Sequence, residues 1–451
     1  MQAPSARIDV TKVGFGWLAI VRIGLVQASI GALVMLATTV LNRVMVVELE
    51  LAAAIPAGLV AWHYAVQLAR PLWGHASDKG GSRTRWIIGG VIVLAAGGLL
   101  ATQATLLMAT AYVPAFALSV FAFALIGMGV GAGGTSALAL LASGVAPDRR
   151  AAAAAVTWIM MVAGIVVSAI TVGALLKPFS AERLMWVASG LALTTITLTV
   201  LATYRLERQA GQFGDAARGG AAPDLRAALT EIWNEPAARR FSVFIFISMI
   251  AFSMQDLILE PFAGLVFGLS PGESTQLGGQ HQGGILFGMI VTGIGGSAFS
   301  GNRPDSLRIW VVCGCLLSAV GLGALALAAV SGPPWPLGPN VFVLGFGNGV
   351  FAVAAIGAMM RLAGAGEKTR EGVRMGVWGA SQAIAFGLGG LAGAAGRDAA
   401  LRVLGDQGQA FQLIFSIEAA AFVLAAILAV RATGGTAMKA GAAYETREIY
   451  A

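Results

Sequence analysis

The stretch Phe252–Gly264, FSMQDLILEPFAG, carries Asp256 and Glu260 four residues apart inside a run otherwise apolar enough for lipid. Carboxyls in such a setting pair with a cation, exchange a proton, or mark a helix end near headgroups and water. A cation in matching context exists. Leu41–Leu49, LNRVMVVEL, holds an amide, then Arg43, then an apolar run and Glu48, as Met254–Pro261 holds an amide, Asp256, an apolar run and Glu260. On a regular helix Asp256 and Glu260 share a face and disfavour each other. In that alignment Arg43 falls on Asp256 and Glu48 near Glu260, and the pattern predicts that Arg43 pairs with Asp256 or Glu260 as a latch between two helix ends. The alternative is two independent ends facing headgroups and water.

Other polar side chains interrupt apolar runs. His63, in WHYAVQLARP, is followed by Gln67 and Arg70 on roughly the same helical face. A neutral imidazole has a ring-nitrogen lone pair for a metal, or else bonds to a neighbouring helix. Gln67, Asn348 and Gln382 are further candidates for contact with a bound molecule. Glu418, in IFSIEAAAF, reads as a proton site or as a hydrogen-bonded packing residue.

The elements that must position these groups follow from composition. Of the 451 residues, 57% are hydrophobic and 11% charged, too few charges to cover a soluble protein of this size. The 61 glycines suit close helix–helix approach in lipid. Runs long enough to span fall near 16–41, 52–73, 86–108, 114–142, 152–176, 184–204, 241–260, 281–300, 309–330, 338–361, 374–394 and 410–431. Placing the N-terminus in the cytoplasm puts most Lys and Arg on cytoplasmic segments and leaves Lys177, Arg183, Arg397 and Arg402 outside, which predicts an N-in, C-in topology.

The halves repeat. GMGVG (Gly127, Gly129, Gly131) matches GFGNG (Gly345, Gly347, Gly349). Each is followed by a basic loop, PDRR or EKTR, and then by Trp158 or Trp378, at an offset of about 220 residues. The expected fold is all-α and membrane-embedded, with twelve transmembrane helices in two six-helix bundles of major facilitator type. The expected divisions are an N-terminal bundle (1–204), a cytoplasmic linker (205–240), a C-terminal bundle (241–431) and a cytoplasmic tail (432–451). GHASDKGGSRTRW resembles the major facilitator loop signature through Gly74, Asp78, Lys79, Gly81 and Arg83, with Arg85 adding a charge. Asp78 is expected to face a helix N-terminus or an arginine and clamp the cytoplasmic ends.

Several classes are disfavoured. GAGEKTR (Gly364–Arg370) only approximates a nucleotide loop, and no HExxH, CxxC or GxSxG occurs. Cys313 and Cys315 sit in an apolar run, against a disulfide or zinc site. The net charge of +7 is not interleaved with exposed aromatics as a nucleic-acid face would be. No catalytic residue, metal ligand set or nucleotide is expected, and the chain reads as a non-enzyme.

Three segments, LNRVMVVEL, QDLILEPFAGLVFGLSPGEST and RMGVWGASQAIAFGLGGLAGA, resemble the PucC/LhaA group, bacteriochlorophyll-delivery members of the major facilitator superfamily. The resemblance runs from about residue 16 to 431, while HYAVQLARPLWGHASDKG is closer to a sister branch of that group. It implies an inner or intracytoplasmic membrane of a phototrophic bacterium. It also implies (bacterio)chlorophyll as bound cargo, and light-harvesting or reaction-centre polypeptides as partners besides the bilayer. Such a pigment needs one axial ligand for its magnesium and a wide apolar wall, and His63 is a candidate for that ligand, beside its reading as a histidine bonded to a neighbouring helix. Other readings are a proton-coupled transporter of a small solute using Glu418 or Asp256, and a pigment-free structural partner of a photosynthetic core complex.

Overall fold

A computed structural model describes residues 15–70, 73, 82–146, 149–207, 236–299, 305–364 and 371–432, all helix and short turns. The helices are α1 (Trp17–Met35, continued by wide turns to Glu48), α2 (Ala54–Gln67), α3 (Arg83–Leu107), α4 (Tyr112–Gly144), α5 (Arg150–Leu175) and α6 (Ala181–Thr203). There follow α7 (Pro236–Met254), α8 (Leu259–Phe267), α9 (Pro271–Phe299), α10 (Asp305–Ser331), α11 (Leu337–Gly364), α12 (Glu371–Leu404) and α13 (Gln407–Ala432). Among the described residues, eight helices are long and apolar enough to cross a bilayer alone, and α7 with α8 make a ninth span bent by 40°. The shorter α2 and the more polar α9 and α12 complete twelve by packing inside the bundle.

Pairings reveal the duplication. In the first half α3 packs on α4, α2 on α4, α1 on α5 and α6, and α3 on α6. In the second half α10 packs on α11, α9 on α11, α7 on α12 and α13, and α10 on α13. The halves meet where α2 lies on α12 and α5 on α9, contacts that exchange under the same operation. Two six-helix bundles related by a pseudo-twofold result.

Glycine permits the closest of these approaches. A Cβ on Gly129 would fall 2.5 Å from the Leu94 nitrogen, and one on Gly349 2.0 Å from the Ile285 carbonyl oxygen. Such backbone contact lets dispersion and polar contacts hold helices whose lipid surroundings supply no hydrophobic drive. The outer surface is greasy: Val113, Leu18, Trp186 and Val320 are at least 66% exposed, as lipid-facing side chains must be.

The structure corrects several boundaries. The first span runs to Glu48 rather than 41, the seventh bends and ends at Phe267 rather than 260, the eighth begins at Pro271, and the eleventh reaches Leu404. Each helix continues past its apolar run because its polar residues are buried against neighbours. Gly74, Asp78, Lys79 and Gly81, most of the expected linker and the tail lie outside the described residues.

Candidate functional site between the two halves

Span one departs from α geometry where its charges lie. Leu36–Leu41 and Val44–Glu48 form wide i→i+5 turns. An ordinary helix would turn residues five apart away from each other. The wide turn instead sets Arg43 Nη1 2.5 Å from Glu48 Oε1. This corrects the expected pairing: the carboxylate bonded to Arg43 is Glu48 of its own helix, while Glu260 of the other half lies within electrostatic range of Arg43 and Asp256 makes no ion pair with it.

Arg43 nonetheless reaches the other half. Its Nε donates to Ser274 Oγ (3.1 Å) and its Nη2 to the Leu269 carbonyl (2.6 Å). Asn42 Nδ2 donates to the Leu257 carbonyl at 2.8 Å. Asn42 and Arg43 are 1% and 2% exposed, so these bonds replace water completely. Gly264 leaves the space that the guanidinium occupies, since a Cβ there would lie 2.9 Å from Arg43 Nη2. At the same end Lys177 Nζ reaches Gln276 Oε1 (3.1 Å) and Glu273 (3.9 Å) across the halves. Ala54 N–H donates to Asp398 at 2.8 Å, joining α2 to α12. The α1–α2 end of the molecule is thus sealed by polar bonds between halves.

Asp256 and Glu260 do not share a helical face. The tight turn Gln255–Leu257 and the bend before α8 separate them. Glu260 is buried, bonded to Thr39 of the other half, and its Oε1 fills the space a Cβ on Gly278 would take, at 2.3 Å. Its Oε2 has no partner. Asp256, ringed by protein, keeps part of its surface open and, among the described residues, has no hydrogen-bond or ion-pair partner. It lies within electrostatic range of Tyr64, Glu260 and Glu418. Glu418 is fully buried, and neither carboxyl oxygen is bonded.

His63 is 2% exposed and bonded within its own helix. Arg70 donates to Gln67 Oε1, so the Gln67 amide nitrogen is the donor to His63 Nε2 at 2.8 Å. That network assigns the ring proton to Nδ1, which has no partner. The second half holds a duplicate. His281, 218 residues on as Gly345 is from Gly127, accepts at Nε2 from Asn348 Nδ2 (3.3 Å), whose Oδ1 accepts from Ser318 Oγ (2.8 Å). A Cβ on Gly127 would strike the His63 carbonyl at 2.6 Å, and one on Gly345 the His281 carbonyl at 2.1 Å. The shared offset was present in the sequence as the signal for this equivalence. Asn348 is therefore engaged with its own half; of the Gln382 side chain nothing is described.

At the start of α3 the sequence leads one to expect an acid, and one is found from another source. Glu207, just beyond α6, accepts from Ser82 Oγ (2.8 Å), Arg83 N–H (2.6 Å) and Thr84 N–H (3.1 Å). Partial burial raises its pKa, but these hydrogen bonds outweigh that and hold the carboxyl below its usual range. Arg83 itself donates to the Ala139 carbonyl and Ser143 Oγ of α4, while Arg85 is exposed.

Comparison with known proteins follows this geometry. The chain is similar to solved peptide transporter POT in complex with sulfate (TM-score 0.68, 14% identity, 93% of this chain and 96% of that one). It is also similar to a bacterial homologue of the human lysosomal transporter Spinster (TM-score 0.65, 15% identity, 92% and 94%). These likenesses show the major facilitator fold. A "Bacteriochlorophyll synthase 44.5 kDa chain" from Rhodobacter capsulatus is 51% identical over 96% of this chain and 98% of its own length. "Protein PucC" of the same species is 29% identical over 91% of each. The family model described as PUCC protein matches residues 40–436. By that match and that relative, the chain belongs to the PucC family.

Proposed function

We propose that this protein is a non-catalytic membrane assembly factor that binds or delivers (bacterio)chlorophyll to light-harvesting apoproteins. The observation that carries the reading is the near full-length match to a relative named for bacteriochlorophyll synthesis. The name of that relative also speaks of a synthase. The non-enzyme reading rests on the present chain, whose two buried imidazoles are each engaged by a side-chain amide and not by a nucleophile. The loop charges support an inner-membrane, N-in and C-in placement, with the Arg43 seal on the periplasmic side and residues 205–240 as the cytoplasmic link between bundles.

The test is purification from a pigmented phototroph membrane. Near-infrared absorption that co-elutes with the monodisperse protein, and loss of antenna complex with retained free pigment in a deletion strain, are the expected results. A colourless protein that moves a solute down a pH gradient refutes this reading. Glu418, fully buried with both oxygens unbonded, is the observation that favours that second, proton-coupled reading.

A further inference from the structure

The relays around His63 and His281 change which residue can hold a pigment. A ring nitrogen ligates a metal through a lone pair. In both histidines the Nε2 lone pair accepts from a side-chain amide, and the geometry leaves the proton on Nδ1. Neither imidazole has a free lone pair unless its relay breaks.

The seam between the halves offers another oxygen. Tyr64 of α2, Phe386 of α12 and Phe252 of α7 form a wall across the two halves, with ring centroids 6.1 Å apart for Tyr64–Phe386 and 5.7 Å for Phe252–Phe386. All three keep part of their surface open. Phe252 precedes Asp256 by one turn, and Asp256 in turn lies within electrostatic range of Tyr64. The three rings and the carboxyl therefore lie along one stretch of the seam between the halves. Gly387 keeps the α2–α12 seam close beside it, its Cβ position 3.4 Å from Tyr64 Cβ. Among the described residues nothing bonds to the Asp256 carboxyl, which is the one anionic oxygen donor of the four side chains.

Magnesium is a hard cation that takes oxygen ligands. A magnesium chlorin leaves the metal an open axial position and presents a flat apolar face suited to aromatic contact. We propose that Asp256 supplies the axial oxygen to the magnesium of a (bacterio)chlorin whose macrocycle lies against Tyr64, Phe252 and Phe386. This rests on the pigment-handling reading and names its site.

The experiment titrates detergent-solubilised protein with bacteriochlorophyll a and with bacteriopheophytin a, its magnesium-free counterpart, and reads bound pigment by absorption and axial coordination by resonance Raman. Wild type is expected to prefer the magnesium form by about tenfold or more. Asp256→Ala loses that preference while still binding the magnesium-free form. Asp256→Asn, which keeps an oxygen and serves should the alanine variant fail to fold, shows an intermediate preference. Phe386→Ala weakens both pigments alike, by about threefold to tenfold. His63→Gln leaves the preference intact. A wild-type preference that survives both Asp256 variants, or that His63→Gln abolishes, overturns the site but leaves pigment handling standing. A wild type that binds neither pigment overturns both.

Discussion

Replacing Arg43 with Met removes the central cation of the seal while keeping most of its volume. Two of its bonds cross between halves, to Ser274 Oγ and the Leu269 carbonyl, and one stays within α1, to Glu48. Hydrogen bonds to charged groups contribute about 1.5–3 kcal/mol in water-soluble proteins, but polar pairs within membranes average about 0.6 and reach about 1.7 kcal/mol. Two cross-half bonds on the membrane scale give about 1–3 kcal/mol, or roughly a fivefold to 150-fold shift away from the sealed state. The assay is disulfide cross-linking of Lys177→Cys with Gln276→Cys, positions whose native side chains meet at 3.1 Å, in a background lacking Cys313 and Cys315. Cross-linking should slow about fivefold or more in Arg43→Met. Glu48→Gln should have a smaller effect, because the Glu48 side chain is 38% exposed and belongs to the same helix as Arg43. Asp256→Asn should leave the rate unchanged, since Asp256 bonds to nothing in the seal. Cross-linking of Arg43→Met at the wild-type rate would refute the seal.

Three further outcomes are expected. Glu207→Gln should lower the melting temperature at neutral pH by the equivalent of about 0.3–1 kcal/mol, a modest value because Glu207 is substantially solvated. Its folded pKa is depressed, so the contribution is present above the ordinary carboxylate range and lost as pH falls through the folded value. The two proteins should therefore converge in acid, and a gap that persists there contradicts the assignment. Gly345→Ala should destabilise by about 1–3 kcal/mol through contact with the His281 carbonyl, whereas Gly323→Ala, with nothing within 4 Å, should be neutral in thermal melts. Glu418→Gln should melt at or above wild type, because it replaces a buried carboxyl whose oxygens are unbonded; a clear fall would mean that those oxygens are engaged in the membrane.

By itself the sequence determined the membrane class, the duplication and the helix count, because lipid demands long apolar helices and leaves a strong one-dimensional signature. The glycine repeats were equally legible, since close backbone approach tolerates only one residue type. Tertiary structure alone decided who meets whom. An α-periodic reading cannot see the wide turns that hand Arg43 to Glu48, or the bend that parts Asp256 from Glu260. Nor can it see that Glu207, from beyond α6, reaches back to cap α3. Whether an imidazole offers a lone pair depends on its neighbours' hydrogen bonds, and the wall of Tyr64, Phe252 and Phe386 exists only because helices distant in sequence pack together. Helix formation is a local matter of hydrogen bonds along the chain. The pairing of polar groups is a long-range matter of packing, and a single sequence carries little of it.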